Sequence, residues 1–140
     1  MIAELQCVVL DCPDPLELAR FYGALLGGEV NRPDRRWTCD DHWATLHAPT
    51  GAVLAFQQVP GHLPPRWPDP AHPQQSHLDL AVPDLDAAEH QVLALGATLL
   101  DATPVRPRLA RLRRPRGSSL LPDPGIRLTR PGHHPGRRGS

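Results

Sequence analysis

The chain has 140 residues, 40% of them hydrophobic, which is enough for one domain with a real core, and its net charge is zero. That balance is uneven: residues 1–101 hold 14 acidic and 5 basic side chains, residues 102–140 hold 1 and 10, and every basic residue is arginine. Cys7, Cys12 and Cys39 form no Cys-x-x-Cys pair, no apolar run reaches transmembrane length, and the first ten residues lack a signal-peptide pattern. These features read as reduced thiols in a soluble cytoplasmic protein, with no membrane partner.

Taken in order, Glu4 to Asp11 reads as a first strand, with apolar residues on both faces. Asp14 is placed to cap a helix and Pro15 to open it. Leu18, Phe21, Tyr22, Leu25 and Leu26 then recur at helical spacing, and Gly27-Gly28 ends the helix. Glu29-Val30 reads as a short edge strand and Asn31 to Asp41 as polar turn. His42–His47 and Ala52–Gln58 alternate around the Pro49-Thr50-Gly51 turn and predict a hairpin. Pro60 to Gln75 holds six prolines and reads as a linker.

The pattern then repeats. His77-Leu78-Asp79-Leu80-Ala81-Val82-Pro83-Asp84 matches Cys7-Val8-Val9-Leu10-Asp11-Cys12-Pro13-Asp14, and Leu93-Ala94-Leu95-Gly96-Ala97 matches the first helix end. Two copies suit a domain of two pseudo-symmetric halves rather than a solenoid. The second copy predicts a strand at Ser76–Val82, a helix at Leu85–Leu95 capped by Asp84, and a strand at Ala97–Leu100.

No second hairpin follows. Residues 102–140 carry seven prolines and ten arginines. The stretch reads as a basic arm for nucleic acid, as a disordered tail, or, fitting best, as a coding sequence translated out of frame. One permitted set of codons for Arg111 to Pro122, read one base later, gives Val-Tyr-Ala-Asp-Pro-Ala-Gly-His-Pro-Phe-Cys. That is a strand, a tight turn and the start of another strand. The expected architecture is therefore α+β: two pseudo-symmetric βαβββ modules with curled mixed sheets around a cavity, the second truncated. The domain spans 1–101, with 60–75 as the inter-module linker and 102–140 as a tail.

With both halves laid out, the chain resembles the vicinal oxygen chelate superfamily, in its glyoxalase-like and bleomycin-resistance-like branch. The resemblance rests on the paired strands with Pro-Asp turns, on Phe21-Tyr22 with Leu25-Leu26-Gly27, on Ala94-Leu95-Gly96-Ala97 and on Pro49-Thr50-Gly51. It implies a divalent metal held from the first and fourth strands of each module. Those positions fall on Cys7, His77 and Ala55, and the last is expected to be missing; the shifted frame offers a cysteine there. One histidine, one thiol and one alanine do not make the three-ligand site a catalytic zinc needs.

Alternation along the strands separates a helix-facing set from an inward set. If Val8, Leu10, Ala44, Leu46, Leu54, Phe56, Leu78 and Leu80 face the helices, the inward set contains Cys7, Trp43, Thr45, His47, Gln57, His77 and Asp79. These are the candidate ligand-binding residues, although each serves equally well as a packing position. Their mixed chemistry suits an amphipathic organic ligand. The leading reading is a metal-independent small-molecule binding protein with a resistance or sequestration role, without a cofactor, and compatible with a homodimer. The alternative is an enzyme of lyase, isomerase or dioxygenase type. Nucleic-acid binding through the arginine tail ranks third.

Overall fold

Ten elements are present in the computed structural model, which describes residues 1–61, 70–71, 77–101, 110–113 and 125–129. They are β1 (Val8–Cys12), α1 (Pro15–Leu26), β2 (Glu29–Val30), β3 (Trp43–His47), β4 (Val53–Gln58), β5 (His77–Ala81), α2 (Leu85–Ala94), β6 (Thr98–Asp101), β7 (Ala110–Arg113) and β8 (Gly125–Thr129). The chain divides into two compact units, one from each half. The predicted linker lies largely outside the described residues.

In the first unit the sheet order is β1-β4-β3-β2. β1 runs parallel to β4, and the other pairs are antiparallel. Helix α1 starts where Asp14 accepts a hydrogen bond from the Glu17 N–H (2.9 Å), with Pro15 in the first turn. It stops at Gly27, whose φ of +73° closes the last turn through a 2.9 Å bond to the Gly23 carbonyl. The helix packs on β3 and β4. Leu18, Tyr22, Ala44, Leu46 and Phe56 are fully buried between them. The Tyr22 ring stacks on Phe56 at 5.7 Å and meets Phe21 edge-on at 5.3 Å. Each such pair adds about 0.5–1.5 kcal/mol beyond its buried area. Leu25 and Leu26, expected in the same stripe, lie half-buried at the helix end.

The first strand begins later than predicted. β4 starts at Val53, so β1 finds partners only from Val8↔Leu54 to Cys12↔Gln58. Val8 and Val9 remain 43% and 42% exposed, because β1 is an outer strand of its sheet.

The second unit has the same order, β5-β8-β7-β6, with β5 parallel to β8 and the remaining pairs antiparallel. The expected truncation after residue 101 is therefore corrected: β7 and β8 come from the stretch read as a tail. The reason is local. Ala-Arg-Leu-Arg and Gly-Ile-Arg-Leu-Thr each alternate with a period of two, and four residues suffice for a strand. The prolines of this stretch fall outside both strands, where they remove no ladder donor.

Helix α2 is capped by Asp84, which accepts from the Asp86 and Ala87 N–H groups at 3.0 Å. It packs on β7 and β8. Leu85, Val92 and, from β8, Leu128 are buried. Leu95, expected to close the apolar stripe, is the C-cap residue and 40% exposed.

Candidate functional site

The first sheet has two unlike faces. Leu10, Ala44, Leu46, Leu54 and Phe56 are all buried, as expected for the face under α1. Register then fixes the rows of the opposite face. Asp11, Gln57 and Trp43 are neighbours across three strands; Val9, Ala55 and Thr45 form the next row; Val53, His47 and Glu29 form the third. A carboxylate, an amide and an indole therefore stand side by side. Asp11 and Gln57 are exposed and Trp43 is half-buried. Cys7, half-buried, lies just before β1.

A loop, residues 31–42, covers the other end of this face. Asn31 starts it, at a left-handed φ of +53° that asparagine tolerates. Its N–H donates to the Thr45 carbonyl (2.8 Å) and its Oδ1 accepts from the Thr45 N–H (2.9 Å). At the far end, Asp40 and Trp43 exchange backbone hydrogen bonds. Between these anchors, Trp37 meets the His47 ring edge-on at 5.8 Å, and Cys39 Sγ lies 3.7 Å from Thr45 Oγ1. Thr45 and His47 are thus on the predicted face but buried under this loop, His47 to 5% exposure.

Asp34 and Arg36 stiffen the outside of the loop. The guanidinium grips the carboxylate with Nε (3.0 Å to Oδ1) and Nη2 (2.6 Å to Oδ2), and stacks 4.2 Å over the Trp37 ring. The Arg36 side chain and backbone bonds hold the Asp34 carboxyl well below the usual carboxylate range, and Asp34 raises the guanidinium in turn. Both Nδ1 and Nε2 of His47 are buried without a hydrogen-bond partner among the described residues, as is Trp43 Nε1. Such groups cost about 1–3 kcal/mol each when left unsatisfied. Burial pushes the His47 imidazole below its ordinary pKa; Arg32 and Arg36 push the same way, while Asp34 and Glu29 oppose them.

In the second unit, His77 and Asp79 are two residues apart on β5, both half-exposed, with His77 Nε2 3.4 Å from Asp79 Oδ1. The alternation of β5 predicted these two on one strand face, and they meet there. Alternation along β1 puts Asp11 on the face of Val9, although Asp11 was absent from the expected inward set. Trp37 was absent too, a single indole in a stretch read as polar turn.

The resemblance to metal-binding proteins can be tested on the donors present. Ala55, at the fourth-strand position, carries no donor atom, and its row neighbours are Val9 and Thr45. The position expected to be missing is occupied: Arg127 pairs with Asp79 as Ala55 pairs with Val9, and a guanidinium does not ligate a cation. Among the described residues, no group of three or more His, Cys, Asp or Glu side chains could hold a metal ion. These residues do not fit the expected metal site.

Among the described residues, two helices and two four-stranded mixed sheets of identical order, each with its helix on one face, define the class as α+β. The chain belongs to the glyoxalase-like domain family, whose sequence profile matches residues 7–121, and so to the vicinal oxygen chelate superfamily. Among solved structures it is similar to the fosfomycin resistance protein FosX from Listeria monocytogenes, at 12% identity and a TM-score of 0.57, covering 92% of this chain and 91% of that one. The FosX protein from Mesorhizobium loti matches at 12% identity and 0.59, covering 92% of each chain. A glyoxylase/bleomycin resistance protein/dioxygenase domain from Frankia sp. EAN1pec matches at 23% identity and 0.52, covering 96% of this chain and 97% of that one. At these identities the likeness is one of fold. No curated protein matches the chain. No helix among the described residues is long and apolar enough to cross a membrane.

Proposed function

We propose that this protein binds a small amphipathic organic molecule on the face of the first sheet opposite α1, without a metal ion. The observation that carries this reading is the row Asp11–Gln57–Trp43: an exposed carboxylate and amide beside an indole on rigid neighbouring strands. An aromatic wall with a few polar groups on regular elements is the usual composition of a small-molecule site. Metal independence is supported by the donor set, which offers alanine and arginine where the resemblance implies carboxylates. Two of the structural neighbours are fosfomycin resistance proteins, and a resistance role is part of this reading. Within this reading the two units act as pseudo-symmetric modules of one binding protein.

The test is to purify the protein mildly, measure bound metal, and identify co-purified small molecules by mass spectrometry. A recovered organic ligand at substoichiometric metal, with affinity lowered at least about fivefold in Gln57→Ala and in Trp43→Ala, is the expected result. Stoichiometric metal needed for binding would replace this reading with the enzymatic one.

A further inference from the structure

We propose that residues 31–42 are a lid over a subsite at His47 that recognises the hydroxyl of a neutral hydroxylated aromatic molecule. This rests on the binding reading above and names its ligand class.

The imidazole carries the argument. It is more than nine-tenths buried, and neither ring nitrogen has a partner among the described residues. A neutral imidazole offers one N–H donor and one acceptor nitrogen. A hydroxyl, which both donates and accepts, can engage either nitrogen. A carboxylate could use only the N–H and would bring a negative charge into a covered position. Arg36 is already committed to Asp34 by its two-pronged bond, and the charge of exposed Arg32 is opposed at the ring by Asp34 and Glu29. A neutral ligand therefore fits better than an anion. Burial also favours the neutral imidazole.

The walls supply the aromatic preference. Trp37 stands edge-on to His47 from the loop. Ala55 and Val53 on β4 are small or branched apolar neighbours that leave the polar contact to His47. A flat aromatic body carrying one hydroxyl matches this set of groups.

The loop is held to the sheet mainly at its two ends. Its backbone is tied to β3 at Asn31–Thr45 and at Asp40–Trp43. Between those ties, Trp37 and Cys39 make the side-chain contacts to β3, while Arg32, Pro33, Arg35 and Arg36 are exposed. The closed lid leaves buried polar atoms unsatisfied beneath it, which lowers the cost of opening relative to a satisfied core.

The experiment compares 2-naphthol with naphthalene, which differ only by the hydroxyl, on the full chain. Calorimetry gives the affinities, and nitrogen NMR follows the His47 ring. The expected result is 2-naphthol binding about tenfold tighter than naphthalene, with the His47 nitrogen resonances shifting only for 2-naphthol. In His47→Phe the preference should fall to about twofold or less, His47→Gln should restore part of it, and Trp37→Ala should speed association. Equal affinities in the native chain, or a preference unchanged in His47→Phe, would overturn the proposal. If both probes bind equally and perturb Gln57 and Trp43, the subsite falls and the binding reading stands. If neither binds, both fall. The NMR arm uses the native chain, so its outcome does not depend on whether a variant folds.

Discussion

The two sheets share one strand order, but their described residues differ in burial. In the first, Ala44 to His47 on β3 and Leu54 to Phe56 on β4 are buried without interruption, because α1 covers one face and the loop part of the other. In the second, β5 alternates between exposed His77, Asp79 and Ala81 and half-buried Leu78 and Leu80. Helix α1 buries five of its residues and α2 two, so α1 is the more deeply seated of these two helices. The lesson is that short alternations set strand order, whereas what lies on each face sets the depth of the core.

The largest test of this contrast rewrites the second hairpin. Arg111 and Arg127 are directly opposite in register, flanked by Asp101 and Asp79, so a row of four charged residues crosses the whole second sheet. Arginine has a lower strand preference than valine, tyrosine or phenylalanine. A chain continuing from residue 111 with the shifted-frame sequence places Val-Tyr-Ala and Pro-Phe-Cys at the hairpin instead. We expect its stability to rise by several kcal/mol, a large share of a small domain's total, and second-unit amides to gain protection approaching that of the first. Unchanged denaturation and hydrogen exchange would show that the arginine strands already complete the sheet. Resequencing the gene decides independently whether the shifted frame is the encoded one.

Next in size is a single cavity in each unit. Phe56 is fully buried against Tyr22, so Phe56→Ala should cost about 3–5 kcal/mol in chemical denaturation. Val92→Ala, which removes a smaller buried side chain, should cost less. Leu95→Asp should stay within about 0.5 kcal/mol, because Leu95 is an exposed cap residue rather than part of the core. A severe Leu95→Asp effect would mean that the second unit has a deeper core than its exposure indicates.

Gly28→Ala probes the join between the first helix and the loop-covered face. Gly28 has φ +100°, and a methyl there would run into the His47 carbonyl. The backbone conformation alone should cost about 1–3 kcal/mol, with the clash added to it. Because the clash falls on His47, the variant should also shift its ring resonances. A stable variant with native resonances would show that β2 and β3 can separate freely.

How far the sequence could be read follows the same contrast. The caps at Asp14 and Asp84, the strand alternation and the common sheet face of Trp43, Thr45, His47 and Gln57 were legible, because each depends on neighbours in the chain. The late start of β1 was not, since it depends on where β4 begins. The hairpin of β7 and β8 was hidden because composition, dominated by arginine and proline, outweighed two runs only four and five residues long. The covering loop was hidden for another reason. Trp37 and His47 lie in separate elements, and nothing local to either indicates that their rings meet.

The smallest expected effect is also the most specific to the covered face. Burial holds the folded His47 below 6.5, the value of an unconstrained imidazole. As pH falls through about 6.5, the unfolded chain takes up a proton before the folded one does. Stability is therefore fully present above that pH and declines below it, until the folded imidazole also titrates. Arg32 and Arg36 deepen the shift and Asp34 and Glu29 reduce it; Glu29 lies on β2 and the other three on the loop. Asp34 itself acts in a separate window: its lowered pKa contributes stability above about 3.8 that is lost at more acid pH. Urea midpoints of the native chain and of His47→Phe, measured between about pH 5 and 8, isolate the histidine. The remaining histidines are common to both proteins and cancel in the difference. We expect the native chain to lose stability relative to His47→Phe as pH drops below about 6.5, and the gap to be constant above it. A gap that is flat throughout would mean that water or ligand already satisfies the ring, and that the loop does not seal it.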